Sequence, residues 1–483
     1  YTTAYYSGGS GGGSGLQNGR FITPAGYPSR IADWNRMIRE NDTLGASRGI
    51  MYNSVNEQWT IGAISKAIFK VSENFSTSFG VDWRTASIDH YREVRDLLGG
   101  DYYLYTGNQF DSPEQQRKGL GDKWSYDNTN EINWLGFYLQ GEYTKDKITF
   151  YGMGGWSTIK FNYTDHFKKD PISGGELNLE SDWINGYQFK GGSSYRFTKE
   201  LNAFVNAGYV SKVPIFDNVI DDVTATKVLD YKNEKFTAFE GGLNYQMFNR
   251  TINATVNYYY TVWLDRSSSR EVELSDGNTG VSFISGIDTR HTGVELELSY
   301  QPINLFKIDA SASLGNWVYV DDAQFKIKDY RDVTPDSTLN FYIKDLKVGD
   351  APQTQFTLGG TIFPVNGLSF QAIYKFYANN YSSWDPFGRE SKDDRTQSWK
   401  APNYGVLDLH LFYDLPVNLS GVTFQLFAHV FNTLDTEYIQ DAVDNSSFNA
   451  YTAGGNGKHH TADDAEVYFG LPRSFNLGVS VAY

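Results

Sequence analysis

The feature that most constrains this chain is an alternation of apolar and polar side chains with a period of two residues. From Phe75 to Trp83, for example, the odd-numbered residues are mostly apolar, and those between them are small or charged. Because successive side chains of a β-strand point to opposite faces of the sheet, this pattern predicts strands with one apolar and one polar face. Fifteen such strands are predicted, at 59–70, 75–90, 133–145, 148–163, 186–197, 201–212, 236–247, 252–265, 287–301, 305–318, 354–364, 368–378, 404–414, 422–434 and 471–483.

The connections between these strands alternate between short and long. Outer-membrane barrels have this asymmetry because they place tight turns in the periplasm and longer loops outside the cell. The chain is therefore predicted to be all-β, with residues 59–483 forming the wall of a transmembrane antiparallel β-barrel. The predicted extracellular loops are 91–132, 164–185, 213–235, 266–286, 319–353, 379–403 and 435–470.

The composition fits a barrel with a wide, polar interior and excludes several other classes. The second faces of the strands carry Asn, Asp, Glu, Lys and Arg, more than a dry core tolerates without partners. The chain has 483 residues and no cysteine, which excludes a disulfide scaffold and a thiolate metal site. A formal net charge of −15 argues against nucleic acid as a partner.

An odd number of strands indicates that part of the barrel is missing. The last strand follows a long loop and so runs toward the periplasm, as does the first, at 59–70. Residues 1–58 are then predicted to be an extracellular loop, with Tyr1–Tyr6 the remnant of a preceding strand and the glycine-rich run Gly8–Gly15 a flexible part of that loop. Single-chain barrels have an even number of strands. One more strand would complete a 16-stranded porin and seven a 22-stranded plugged transporter, and periodicity does not choose between them.

Several short motifs resemble those of TonB-dependent outer-membrane receptors. Val430–Tyr438, which reads VFNTLDTEY, resembles the V-x-N-L-F-D-x-x-Y motif of the family's penultimate strand. Asn233–Glu240 resembles the P-E-x-x-x-x-Y-E motif at the start of a central strand. Further resemblances are those of Tyr404–Leu409 to Y-x-x-x-D-L, of Gly80–Arg84 to G-x-D-Y-R, and of Ser474–Tyr483 to the closing strand. The match runs from about residue 57 to the end of the sequence and is most similar to the subgroup that carries a carboxypeptidase-regulatory-like domain and a plug before the barrel.

The resemblance implies an active importer in the outer membrane of a Gram-negative bacterium. It implies a 22-stranded barrel in the lipid bilayer, a plug domain in the same polypeptide upstream of Tyr1, and energy supplied by the TonB complex. In that barrel, 59–70 would be the eighth strand. The cargo would be a small nutrient such as a siderophore, cobalamin, an oligosaccharide or a peptide, and a surface lipoprotein could form a lid. The alternatives left open are a passive 16-stranded porin and a barrel that serves as a structural partner in an envelope assembly.

Candidate ligand contacts are aromatic residues of the long loops together with arginines of the strands. Aromatic rings offer flat apolar faces that suit sugars, peptides or chelates, and arginines would concentrate positive charge in an acidic chain. The predicted contacts are Tyr103, Trp124, Tyr126, Trp183, Trp384, Arg84 and Arg196. The alternative for each aromatic residue is that it packs the loops against each other.

The final strand is predicted to close the barrel and to signal its insertion into the membrane, because closure removes the strand edges that otherwise invite aggregation. The residues of its apolar face are Phe475, Leu477, Val479, Val481 and Tyr483.

The sequence predicts no enzyme, no cofactor and no metal site. His459 and His460 are adjacent in one loop, which is not a ligand spacing that builds a preorganised metal site. His410 and His429 lie on predicted strands, but no serine is placed to form a nucleophilic triad with them.

Overall fold

A large antiparallel sheet dominates the computed structural model, which describes residues 1–22, 31–222, 225–228, 231–247, 251–273, 279–327, 337–385, 388–446 and 459–483. Sixteen long strands follow one another along the chain, and each pairs antiparallel with the next. They are β1 (Thr2–Gln17), β2 (Ile50–Lys70), β3 (Phe75–Asp96), β4 (Lys123–Lys145), β5 (Ile148–Lys169), β6 (Ile184–Arg196), β7 (Leu201–Lys212), β8 (Glu234–Met247), β9 (Ile252–Leu264), β10 (Thr289–Ile303), β11 (Phe306–Tyr319), β12 (Thr354–Val365), β13 (Leu368–Ala378), β14 (Tyr404–Leu419), β15 (Val422–Phe431) and β16 (Ser474–Ala482).

Short helices and strands lie within the long connections. Helix α1 (Trp34–Leu44) lies between β1 and β2, where the Asp33 side chain accepts a hydrogen bond from the Arg36 amide and Gly45 ends the helix at a positive φ of 69°. The other short elements are the 3-10 helix Phe216–Asn218 and the strands Ala46–Ser47, Tyr102–Leu104, Arg117–Lys118, Glu176–Glu180, Ile220–Asp221, Thr226–Lys227, Ser268–Glu273, Thr279–Ser285, Ala323–Ile327, Ser337–Phe341, Ser383–Trp384, Ile439–Asp444 and Glu466–Phe469. Neither helix in this part of the chain has the length and hydrophobicity that a membrane span requires.

The apolar faces of neighbouring strands are in register and form a continuous band. Phe79 of β3 lies opposite Leu139 of β4, and Phe137 of β4 lies opposite Trp156 of β5. In β3 the band covers the nine residues from Phe75 to Trp83, and about 9–11 residues suffice for a strand to cross a bilayer. The two-faced strands predicted from the alternation are therefore present, and their apolar faces match the thickness of the membrane.

Strands β2 to β5 extend well beyond this band. They contain 21 to 23 residues, whereas β6 to β16 contain 9 to 16. Beyond Trp83 the outward face of β3 becomes polar, with Ser87 and Asp89. At about 3.3 Å per residue, some ten additional residues lengthen these strands by roughly 30 Å. The connection predicted at 91–132 is correspondingly shorter, because β3 ends only at Asp96 and β4 begins at Lys123.

The first strand corrects the prediction for the start of the chain. Residues 1–58 are not only a loop with a strand remnant, because Thr2–Gln17 is a complete strand that pairs with Ile50–Ser65 of β2 along its whole length. The glycine-rich run thus lies in a strand. Glycine has a weak intrinsic preference for strands, but the backbone of β2 supplies the pairing that holds it. At Gly12, a Cβ atom would collide with the carbonyl oxygen of Ser54, so this close approach requires glycine.

Two neighbouring substitutions test which face meets lipid. Leu139 is 59% exposed on the apolar face of β4, and Gln140 lies on the polar face. We expect Leu139→Arg to lower the free energy of unfolding by about 2–4 kcal/mol, since it places a charge in hydrocarbon. Gln140→Arg should cost much less. Urea unfolding of the full-length protein in lipid vesicles measures both losses, and equal losses would mean that the faces are assigned incorrectly.

Candidate functional site

The polar face of the sheet carries charges that are divided between two regions. Strands β2, β3 and β6 contribute Lys66, Arg84 and Lys190 to this face, as their pairing registers show. Strands β8 to β11 contribute mainly carboxylates to the same face, namely Glu240, Glu295, Glu297 and Asp309. The face is therefore polarised, with a basic side and an acidic side.

The carboxylates on the acidic side form few hydrogen bonds or ion pairs with the described residues. The Nδ2 atom of Asn257 lies 3.5 Å from Glu295 Oε2, at the limit of a hydrogen bond. Asp309 is paired with Lys307, whose Nζ is 2.8 Å from its Oδ1. Glu240 and Glu297 form no hydrogen bond or ion pair with the part of the chain that the structure describes. We define Glu240, Glu295 and Glu297 as the acidic stripe.

The loop between β7 and β8 folds over the polar face of the tall strands. Val219 and Ile220 of this loop are buried in one cluster with Ile159, Phe161 and Tyr163 of β5. The Tyr163 hydroxyl donates to the carbonyl oxygen of Asp222 at 3.0 Å, which ties the loop to the wall. The outer part of the interior is thus narrowed by a loop that is held by apolar contacts.

This loop also carries three close carboxylates. Burial, together with the nearby charges of Asp217 and Asp221, raises the pKa of Asp222 to about 6. Burial, followed by the charge of Asp221, also raises the pKa of Asp217. Docking of the loop therefore works against the ionisation of Asp217 and Asp222.

An arginine surrounded by aromatic rings lies on the polar face of β2 to β4. The guanidinium carbon of Arg92 is 4.5 Å from the ring centroid of Tyr52, 5.2 Å from that of Tyr126 and 6.0 Å from that of Trp124. We call these four residues the Arg92 box. Trp124 is 3% exposed, and Tyr103 packs edge-on against it with the ring centroids 5.2 Å apart.

The loops 379–403 and 435–470 are joined by a buried ionic cluster. Arg389 Nη2 lies 2.9 Å from Asp444 Oδ2. His460 Nδ1 is 2.6 Å from the same oxygen, and His460 Nε2 is 2.8 Å from Asp394 Oδ2. A neutral imidazole has one N–H, so only a protonated His460 donates to both carboxylates. Burial lowers the pKa of His460, but the hydrogen bonds to Asp444 and Asp394 outweigh burial and raise it above the usual value.

The structure brings together three of the seven predicted ligand contacts. Tyr103, Trp124 and Tyr126 lie at the Arg92 box, where Trp124 is buried by loop packing. Trp384 is 4% exposed in a separate cluster with Phe341. For these two buried tryptophans, the contacts in the structure are those of loop packing.

The remaining three predicted contacts lie apart from this cluster and from each other. Trp183 is 51% exposed, with Lys160 Nζ 6.0 Å from its ring centroid. Arg84 lies over Trp134, 4.9 Å from the ring centroid, and 3.6 Å from Asp82. Arg196 is at the short-turn end of β6. The seven residues therefore do not form one site, and a ligand role for any of them stays a prediction.

Sequence reasoning missed Arg92 and Tyr52. The predicted strands ended at residue 90 and began at residue 59, so both residues fell in loops. The alternation does continue, since Ile88, His90 and Arg92 share one face of β3. Extending the period-two pattern past its apolar part would have placed Arg92 on the polar face.

One hydrogen-bonded chain superficially resembles a catalytic triad. Thr129 Oγ1 is 2.9 Å from His166 Nε2, and His166 Nδ1 is 3.0 Å from Glu176 Oε1. However, the Thr129 hydroxyl donates its proton to Asp89 at 2.7 Å, so the histidine does not activate it as a nucleophile. In the described ranges, no group of three or more His, Asp or Glu side chains is arranged to hold a metal ion.

Comparison with known proteins identifies the family. A family model described as "TonB dependent receptor-like, beta-barrel" matches residues 1–432. The chain belongs to this family. It is therefore a β-barrel receptor chain of the Gram-negative outer membrane, as the motifs of its strands predicted. No curated protein sequence matches it.

Solved structures share the fold at low sequence identity. The copper transporter OprC has a TM-score of 0.57 and 16% identity, and the match covers 89% of this chain and 57% of OprC. The ferric citrate transporter FecA, in its unliganded form, has a TM-score of 0.57 and 16% identity, and the match covers 89% of this chain and 56% of FecA. The ferric-catecholate import receptor Fiu of E. coli K12 has a TM-score of 0.54 and 14% identity, and the match covers 97% of this chain and 59% of Fiu. The chain thus spans less than two thirds of the length of these structures.

Asp222→Asn tests the carboxylate cluster. The docked loop raises the pKa of Asp222 from about 3.8 to about 6, so docking is strongest below pH 3.8 and weakens as the pH rises to 6. At pH 7 the amide should therefore slow hydrogen exchange in residues 213–222 relative to the wild type, and the difference should shrink at pH 5. Asp182→Asn, in an exposed part of another loop, serves as the control. Faster exchange in Asp222→Asn would contradict the expectation.

His460→Gln tests the ionic cluster. The pKa of His460 is raised on docking, so its contribution is complete below pH 6.5 and is lost as the pH rises through the higher pKa of the docked state. Trypsin cleavage after the exposed Lys392 should therefore accelerate between pH 6 and pH 9, after correction for the activity of trypsin on a peptide. His460→Gln should cleave fast throughout, whereas His459→Gln should behave as the wild type. A wild-type rate that does not change with pH would argue against the cluster.

Proposed function

We propose that this chain is the C-terminal part of the barrel of an active importer that carries a small nutrient across the outer membrane. Family membership supports the proposal, because TonB-dependent receptors are plugged barrels that are energised through TonB. OprC, FecA and Fiu are named for copper, ferric citrate and ferric-catecholate import. The cargo of this chain stays open among siderophores, cobalamin, oligosaccharides and peptides.

The observation that carries the proposal is the pairing at the two ends of the sheet. The registers of the described residues pair β1 with β2 and β16 with β15, and they include no pair of β1 with β16. An unpaired strand edge costs several kcal/mol per backbone group in hydrocarbon, so both edges need partners. β1 and β16 run in opposite directions, and an even number of strands therefore fits between them. Six strands would complete the 22 of the family.

The same pairing disfavours the passive porin. In a 16-stranded porin, β1 would pair directly with β16, and the registers of the described strands include no such pair.

The apolar face of β16, with Phe475, Leu477, Val479 and Val481 all more than half exposed, suits a strand that faces lipid and closes the barrel.

The acidic stripe supports the presence of a plug. Three carboxylates that face the interior with few partners suit a domain that offers arginine or lysine side chains at the same height. The basic side of the face, with Lys66, Arg84 and Lys190, would meet acidic groups of that domain. A polarised wall of this kind would orient the plug in a single rotation.

Liposome swelling and uptake together test the proposal. The full-length protein in vesicles should not admit small sugars, because the plug blocks the barrel. In cells, nutrient accumulation should cease when TonB is deleted or the proton gradient is dissipated. Swelling with small sugars would instead favour the porin. Stoichiometric co-purification with envelope proteins, without uptake, would favour the structural partner.

The comparisons give no support for a lipoprotein lid, which remains a prediction.

Glu295→Gln combined with Glu297→Gln tests the docking of the plug. We expect the double variant to weaken the retention of the plug by about 2 kcal/mol, since it removes charge partners from the wall. Urea should then release the plug at a lower concentration, detected as the onset of liposome swelling. Asp309→Asn is the matched control, because Lys307 already neutralises that carboxylate. An unchanged midpoint in the double variant would argue against the stripe as a docking surface.

A further inference from the structure

Arg92 holds a positive charge on the polar face of the wall without a carboxylate partner. Within the described part of the chain, its side chain interacts with the rings of Tyr52, Trp124 and Tyr126 and forms no ion pair. Arg84, on the same face of the same strand, differs because Asp82 Oδ2 lies 3.6 Å from its Nη2. In a chain with a net charge of −15, an arginine that forms no ion pair with the described residues has an unusual environment, and the adjacent Glu93 accepts a hydrogen bond from Asn53 instead.

An irregularity in β4 builds the Arg92 box. Tyr91 pairs with Asp127, but Arg92 pairs with Trp124, so Ser125 and Tyr126 form a bulge opposite the arginine. Ser125 adopts a positive φ of 68°, which is strained for a residue with a side chain. The Tyr126 hydroxyl is held 2.5 Å from Ser54 Oγ of β2. Bulges of this kind re-aim side chains, and this one places Tyr126 beside the guanidinium.

The chemistry of the box suits an oxyanion. The rings hold the guanidinium by cation–π contact and cover its flanks, which fixes the direction of its donors. The Nε atom is buried and has no hydrogen-bond acceptor, and the Nη groups make no hydrogen bond with described residues. A planar fork of N–H donors matches the two oxygens of a carboxylate or phosphate group.

The position of the box suits a molecule that arrives from outside. Arg92 lies nine residues beyond Trp83, the last residue of the apolar band in β3, so it is in the part of the wall that rises above the membrane. Its side chain is on the same face as Arg84 and the acidic stripe, which is the interior of the proposed barrel. His90, one step nearer the membrane on that face, is held by Asn56, with 2.6 Å between Nδ1 and Oδ1.

We propose that the Arg92 box binds a carboxylate or phosphate group of the imported molecule at the outer end of the barrel interior. The inference rests on the import function proposed above and adds a chemical class to it, since the cargo then carries at least one anionic oxygen group. The net charge of −15 repels anions from the chain as a whole, so a single preorganised cation selects for ligands that reach it.

Equilibrium binding by the full-length protein in detergent tests the proposal without requiring transport. Malonate and inorganic phosphate are the probes, sorbitol is the uncharged comparison, and quenching of tryptophan fluorescence is the readout. Arg92→Gln should weaken binding of the anions by roughly 10- to 100-fold, because it removes charge-assisted hydrogen bonds. Arg92→Lys should give an intermediate loss, since it keeps the charge but not the fork. Arg95→Gln, which changes an exposed arginine of the same strand, is the matched control and should bind as the wild type.

Chemical modification provides a second measurement that needs no variant. Phenylglyoxal should label Arg92 in the wild-type protein, and malonate should protect it while leaving the exposed Arg95 unprotected, as read by mass spectrometry. Equal binding by Arg92→Gln and wild type, a lack of protection, or no binding of either probe would overturn the proposal. If the anions bind at Arg92 but uptake does not depend on TonB, the import function fails and the anion site stands. If uptake depends on TonB but Arg92→Gln binds normally, only the anion site fails.

Discussion

The requirement that every backbone N–H and C=O find a partner in hydrocarbon underlies the whole structure. Water is absent from the bilayer core, so the sheet must pair each strand on both sides. Strands β2 to β15 meet this requirement within the described chain, and the registers there join β1 to β2 and β16 to β15. The same constraint explains the glycine-rich β1, because backbone pairing with β2 continues even where side chains contribute little.

The two ends of the strands are stabilised in different ways, and this difference locates the functional surface. In the membrane, the wall is held by pairing and by an apolar band that lipid covers. Above it, β2 to β5 continue into water and carry buried clusters in which the loops pack on the polar face. Ionic contacts such as Arg389 with Asp444 join loops to each other. The interior surface is therefore lined by the acidic stripe at the level of the membrane and by the Arg92 box above it.

Sequence reasoning recovered the fold better than the site. The faces of the strands, the alternation of short and long connections and the family-like motifs are local patterns, and each is confirmed by the registers or by the family model. The strand Thr2–Gln17 was not predicted in full, because Gly8–Gly15 shows no alternation of apolar and polar residues and its pairing partner is more than thirty residues away. Trp124 and Trp384 are buried in two separate clusters, which no local pattern indicates, and a ligand role for either stays a prediction. Arg92 was missed because its strand loses apolar residues before it ends.

By itself, the sequence determined the fold class and the face on which each residue of a predicted strand lies. It could do so because the two faces of a strand are encoded by adjacent residues. Only the tertiary structure decided that β1 is a strand, that the polar face is divided by charge, and that three rings and a bulge enclose Arg92. These features depend on which residues the pairing of distant segments brings together, and that information is not contained in any local pattern.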